Sequence, residues 1–266
     1  MKKIIFNKLL INDKKELSKH KIKILELFKI CFNKEFDDKL WQWAYIDNPN
    51  GNPIVSLYFD GEKLVGHYAV IPMNFLNKST LIKGLLAMTA MVHPDYRLNS
   101  IFVNQAKEVD DKANKLNYKF IYAFPNKNSA PGFKKRLNWI LEEDLYVANF
   151  SYNELQQIEK RSYPNAISFD TQDKENIEWR LSKPNQNYFK KNNNILKEFE
   201  GNFDIVFNGF DFSNLDKDKK YNLLLDHSLD KHLDKKEFDY IFGYRLFDTS
   251  LEGVDFKKDL LMSDVF

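Results

Sequence analysis

The stretch Gly84-Leu85-Leu86-Ala87-Met88-Thr89-Ala90-Met91-Val92, continuing through His93-Pro94-Asp95-Tyr96-Arg97-Leu98-Asn99-Ser100 into Ile101-Phe102, decides the fold. The apolar run Leu85–Val92 is long enough for a strand buried on both faces. Pro94 cannot donate to a ladder and ends it. Leu98-Asn99-Ser100 reads as a tight polar turn, and a helix starts near Ile101. Its apolar residues Ile101, Phe102, Ala106, Val109 and Ala113 recur three or four apart, and Asn117 closes it. Phe120-Ile121-Tyr122-Ala123-Phe124 reads as the next strand, stopping at Pro125. The order is strand, turn, helix, parallel strand.

A turn that opens a helix after a buried strand leaves several backbone N–H groups unpaired. With the helix dipole behind them they form a seat for phosphate. Arg97 stands before that turn and adds a fixed positive charge. Every α/β protein has turns of this kind, so spacing alone leaves phosphate binding and plain connection equally open.

Val92-His93-Pro94-Asp95-Tyr96-Arg97, the short turn and Ile101-Phe102 resemble the central motif of the GNAT superfamily, the acyl-CoA-dependent N-acyltransferases. The stretch Asn126 to Trp139 resembles that family's next element, an Asn-containing loop and a helix ending in a Gly-Phe-like pair, here Asn138-Trp139. The resemblance covers roughly residues 28–150. The family's turn is Arg/Gln-x-x-Gly-x-Gly/Ala; Ser100 and Phe102 stand at its two small positions, and Lys134 stands where a tyrosine acid is frequent.

The resemblance implies an α/β fold with a GNAT-like mixed central sheet flanked by helices. It implies coenzyme A as carrier of the donor acyl group, with its diphosphate at Arg97, Leu98, Asn99, Ser100, Ile101 and Phe102. The pantetheine arm would lie between splayed strands beside Asn126, Asn128, Ser129 and Phe133, and the amides near Met91 and Val92 would polarise the thioester. Ser129 also reads as a helix N-cap. His67, in a strand resembling the family's third, is the candidate base, taking a proton from the amine directly or through a water; its ordinary reading is a hydrogen-bonded core histidine. Trp41, Trp43 and Tyr45, with Tyr68 and Thr89, are candidates for the acceptor side, and core packing is the commoner fate of such aromatics.

The chain has 266 residues, 40 basic and 38 acidic, with a net charge of +2. That balance argues against a dedicated nucleic-acid binder. A single cysteine, Cys31, excludes an internal disulfide framework, and the five histidines show no metal-ligand spacing, so no metal is expected. No run approaches the roughly 18 apolar residues of a membrane span, so the expectation is a soluble, cytoplasmic protein with no membrane partner. The sequence contains no Gly-x-Ser-x-Gly, His-Glu-x-x-His, Walker or dinucleotide fingerprint.

Taken in order, residues 3–11 read as a strand, Lys15 to Phe32 as one helix and Phe36 to Tyr45 as a second. Ile54–Phe59 and Leu64–Ile71 form a hairpin across Asp60-Gly61, and Trp139 to Phe150 reads as a closing strand pair. Residues 1–150 are thus expected as a GNAT-like acyl-CoA-binding domain, 151–175 as a connector and 176–266 as a smaller α+β accessory domain. Strands are expected at Phe203–Phe207, Tyr221–His227 and Phe238–Phe247, and a packed C-terminus at Asp264-Val265-Phe266. The segments Trp41–Pro53 and Trp179–Tyr188 look faintly alike, as in a degenerate second copy. Resemblance to two-part GNAT proteins of surface-polysaccharide pathways implies a nucleotide-linked amino sugar as acceptor. An aminoacyl or peptide acyltransferase, and a binding scaffold with a decayed cofactor turn, are the alternatives.

Overall fold

The computed structural model describes residues 5–265. The first strand, β1 (Asn7–Ile11), pairs with β2 (Ile54–Asp60), which forms a hairpin with β3 (Lys63–Asn77). The long hairpin partner of β3 is β4 (Thr80–Val92), and β4 runs parallel to β5 (Phe120–Ala123) as expected. Pro72 sits inside β3 rather than ending it, because the pairing with β2 stops at Val70 and no ladder needs the missing N–H.

The helix expected over Lys15–Phe32 is two, α1 (Lys14–Ser18) and α2 (Lys21–Phe32), capped at Asp13 and broken around Lys19-His20. The second expected helix is a single turn, α3 (Asp38–Trp41), running into a π-turn over Gln42–Ile46. The crossover helix α4 (Ile101–Lys115) lies on β2 and β3. Gln105 donates to the Ser56 carbonyl at 2.8 Å, and Glu108 accepts from Tyr58 at 2.6 Å. Gly66 permits this approach: a Cβ there would lie 2.4 Å from Ile101 Cγ2.

After α5 (Ala130–Leu137), Ile140–Ser151 is one twelve-residue strand, β6, not a pair. Its neighbour in the sheet comes from the far end of the chain. Strand β12 (Lys236–Leu246) lies between β5 and β6, antiparallel to both, and its Arg245 holds Asp110 of α4 at 2.8 Å. In between come α6 (Tyr152–Leu155), β7 (Ile167–Phe169), α7 (Lys174–Leu181), β8 (Tyr188–Lys191), β9 (Asn194–Phe199), β10 (Asn202–Phe207) and β11 (Lys220–Asp226). The sheet order is β1-β2-β3-β4-β5-β12-β6-β11-β10-β9-β8, with β7 pairing on β3.

This order is nearly symmetric about the β12–β6 pair. Parallel β10 and β11 stand to β6 as parallel β4 and β5 stand to β12. Trp43 and Trp179 stack at 4.8 Å, and each indole N–H donates to the other's carbonyl, at 2.8 and 2.9 Å. In the second half no helix bridges the parallel pair; residues 208–219 cross as a loop.

Gly66→Ala should destabilise the fold by about 1–3 kcal/mol by lifting α4 off the sheet. A urea midpoint unchanged from wild type would show that α4 has slack there.

Candidate active site

Strands β4 and β5 pair at Gly84–Leu86 and then part. The cause is local. Opposite the single residue Tyr68, β4 carries two, Thr89 and Ala90, and Thr89 takes a left-handed backbone (φ +54°). This is a β-bulge, which bends the strand that carries it. Two hydrogen bonds hold it: Tyr45 Oη meets Thr89 Oγ1 at 3.0 Å, and His67 Nδ1–H donates to the Thr89 carbonyl at 2.8 Å.

The parted strands leave a cavity of about 190 Å³. Ala87, Met88, Thr89, Ala90 and Tyr68 line it from one strand pair, and Ala123, Phe124 and Pro125 from the other. Asn126, Ser129 and Phe133 close its end. On the α2–α3 side of the bulge lies a wider cavity of about 520 Å³, walled by Phe28, Phe32, Phe36, Leu40 and Trp43. The two cavities share Phe32, Met88, Thr89 and Asp264, so they meet at the bulge.

Beyond β4, residues Pro94–Asn99 form a 3-10 turn, Ser100 is left-handed (φ +54°), and α4 opens at Ile101. Ser100 makes no side-chain cap, so the first-turn amides of α4 point outward without an intrahelical partner. Arg97, Leu98 and Asn99 are exposed around that mouth. Phe102 turns inward, packing on Tyr68 at 5.8 Å and Phe133 at 5.4 Å, and so leaves the mouth open.

Most of the candidates of the sequence thus fall in three places. Asn126, Ser129, Phe133, Tyr68 and Thr89 line the narrow cavity, and Trp43 lines the wide one. Arg97 to Phe102 surround the α4 mouth. Met91 and Val92 continue β4 past the bulge, with Met91 opposite His67. Trp41 and Tyr45 are buried beneath the wide cavity and do not line it. Asn128 is exposed; its amide and that of Ser129 both donate to Asn126 Oδ1 at 3.0 Å. Ser129 does not cap α5: its hydroxyl donates back to the Asn126 carbonyl.

His67 is buried and lines neither cavity. Because a carbonyl only accepts, the proton sits on Nδ1, and Nε2 faces the interior with no partner among the described residues. Burial pushes its pKa down to about 4. Cys31 is half-buried, with Sγ 3.5 Å from the Val92 carbonyl, and burial raises its thiol pKa, the opposite of an activated nucleophile.

The residue that sequence reasoning missed is Asp264. The tail holding it is clamped by buried side chains. Tyr122 donates to the Met262 carbonyl, Arg180 to those of Leu261 and Ser263, and Lys183 to that of Asp264. The apolar triplet Leu260-Leu261-Met262 beside it was the available signal for a packed tail; Phe266 lies outside the described residues.

Residues 15–141 match the family model of the acetyltransferase (GNAT) domain. These residues are just under half of the chain, and the class they match is that of the acyl-CoA-dependent N-acyltransferases. The likeness of fold extends further along the chain. A GCN5-related N-acetyltransferase from Kribbella flavida is similar over 92% of this chain and 72% of its own, with TM-score 0.61 and 11% identity. Another from Anabaena variabilis is similar over 91% and 74%, with TM-score 0.60 and 8% identity. At such identities the likeness is one of fold. No curated protein matches the sequence. Among the described residues, no helix is long and apolar enough to cross a membrane.

His67 carries a stability term that depends on pH. Its folded pKa lies below the ordinary 6.5, so the stabilisation is present above 6.5 and lost as pH falls toward 4. Between pH 7.5 and 4.5 wild type should lose about 2–3 kcal/mol more than His67→Gln, as read from urea midpoints. Parallel losses in the two proteins would contradict this.

Proposed function

We propose that the protein transfers an acyl group from acyl-CoA to a primary amine, with donor and acceptor arriving from opposite sides of the Thr89 bulge. The observation that carries this is the meeting of the two cavities at Phe32, Met88, Thr89 and Asp264. Holding two reactants in line is worth several kcal/mol without further chemistry.

On the donor side, the narrow cavity between β4 and β5 suits the pantetheine arm, with Asn126, Ser129 and Phe133 beside it. The diphosphate would sit at the α4 mouth, on the amides of Ile101 and Phe102, with Arg97 as counter-charge. The extra residue of the bulge leaves the ladder locally unpaired next to where the thioester would lie, a position suited to polarising its carbonyl.

On the acceptor side, the wide cavity is walled by aromatic and aliphatic groups. A nucleotide-linked sugar needs cations for its diphosphate. Among the lining residues Lys34 is the one cation, beside Glu35, Asp37 and Asp264. That chemistry favours an amine carried on an apolar or aromatic body, and an aminoacyl or peptidyl amine fits it better than the nucleotide sugar.

Acetyl-CoA should raise the melting temperature of the wild-type protein, as any ligand of the native state does. The scaffold alternative predicts no shift. Arg97→Ala should weaken acetyl-CoA binding roughly tenfold or more, the worth of a charge-assisted contact, while changing the stability of the free protein by less than about 0.5 kcal/mol. Calorimetry showing equal affinity would remove Arg97 from the donor site.

A further inference from the structure

We propose that Asp264 is the proton acceptor for the attacking amine, delivered to the junction of the two cavities by the clamped C-terminal segment. The inference rests on the donor and acceptor assignment above.

Asp264 alone among the four shared lining residues is ionisable. Its position is fixed through its backbone, and its carboxylate accepts from its own backbone amide and feels the charges of Lys183 and Arg180. Lys183 Nζ donates to its carbonyl oxygen at 2.5 Å. Arg180 donates to the Leu261 and Ser263 carbonyls at 2.7 and 2.8 Å, and Ser263 Oγ meets Tyr240 Oη at 2.7 Å. Arg180 is fully buried, so the clamp does not wander with solvent.

The charged and titratable groups acting on this carboxyl come from several elements: Lys183 and Arg180 from the α7 region, Tyr45 from the π-turn, Tyr122 from β5 and Tyr240 from β12. Burial raises the carboxyl pKa, while Lys183 and Arg180 pull it back. A carboxylate whose pKa lies above its ordinary range binds a proton more strongly than a solvated one. His67, by contrast, is sealed from both cavities, and its Nδ1 is committed to the Thr89 carbonyl.

In the step assigned here, the neutral amine nitrogen attacks the thioester carbonyl carbon. A C–N bond forms and the C–S bond breaks, its electron pair leaving on the coenzyme sulfur. The proton lost from nitrogen passes to the Asp264 carboxylate and from there to the leaving thiolate. Amine and acyl-CoA become amide and free coenzyme A, with no other reactant.

The test uses the full chain, acetyl-CoA and tyramine, an aromatic primary amine matched to the wide cavity. Asp264→Asn should bind acetyl-CoA with wild-type affinity by calorimetry and lose about 10²-fold or more in kcat, with KM for acetyl-CoA unchanged. Asp264→Ala should regain part of the rate on addition of formate, which a merely structural residue would not allow. An Asp264→Asn rate within about threefold of wild type, or an Asp264→Ala variant that binds acetyl-CoA but is not rescued, overturns the proposal. Wild-type protein that binds acetyl-CoA yet acetylates no tyramine overturns it too, because the amine cavity is part of it. Failure of wild type to bind acetyl-CoA instead removes the donor site on which both readings stand.

Discussion

The structure depends on a single residue held against its preference. Thr89 is β-branched and left-handed, a combination that costs roughly 1–2 kcal/mol. Tyr45 and His67 hold its hydroxyl and its carbonyl. The bulge lies three residues past the last β4–β5 pair, Leu86 with Tyr122, on the stretch of β4 that borders the gap. The buried histidine therefore has a mechanical role at the bulge. A neutral imidazole with Nδ1–H can satisfy a buried carbonyl, and the low pKa keeps it in that form across the physiological range.

The second half of the chain completes the first rather than standing beside it. Strand β12 separates β5 from β6, so the sheet around the narrow cavity is not complete until nearly the whole chain is made. The reciprocal tryptophans put the approximate symmetry in hydrogen bonds as well as in topology. Where the first half has a helix whose amides can face an anion, the second has a loop. The likeness between the Trp41 and Trp179 segments marks this relation only faintly in the sequence, because beside the tryptophans each segment carries its own buried polar residues, Tyr45 in one and Arg180 and Lys183 in the other.

Local signals carried much of the fold. Continuous apolar runs mark β4, β5 and β11, and Asn117, left-handed at φ +61°, ends the crossover helix region where a residue tolerant of that backbone stands. Non-local pairing was not legible. Nothing in Ile140–Ser151 says that it is one strand whose partner lies almost a hundred residues away, since a run this long reads equally well as a hairpin. The bulge was hidden for a different reason. Ala87-Met88-Thr89-Ala90 has no glycine or proline to mark a change of backbone, and its cause is the pair of side chains from elsewhere that grip Thr89. The α4 mouth was readable because its parts are contiguous, whereas Asp264 was not, because its partners Arg180 and Lys183 lie some eighty residues upstream.

The tail that carries Asp264 also accounts for the different fate of the two parallel strand pairs. Strands β10 and β11 part after Ile205 and Leu223, as β4 and β5 part after Leu86 and Tyr122. The C-terminal segment packs at this second opening: the Asn208 amide donates to Asp259 Oδ1 at 3.0 Å, and Lys257 Nζ lies 3.6 Å from the Phe207 ring centre. A chain path that occupies the second opening is the same path that ends at the first. With Phe256 and Leu260 to Met262 buried along it, the segment is anchored by apolar burial on one side and by the Arg180 clamp on the other. A short loop without that anchorage would not hold a carboxylate still at the edge of an open cavity. Packing at the second opening and placing Asp264 at the edge of the first are, in this architecture, done by one segment.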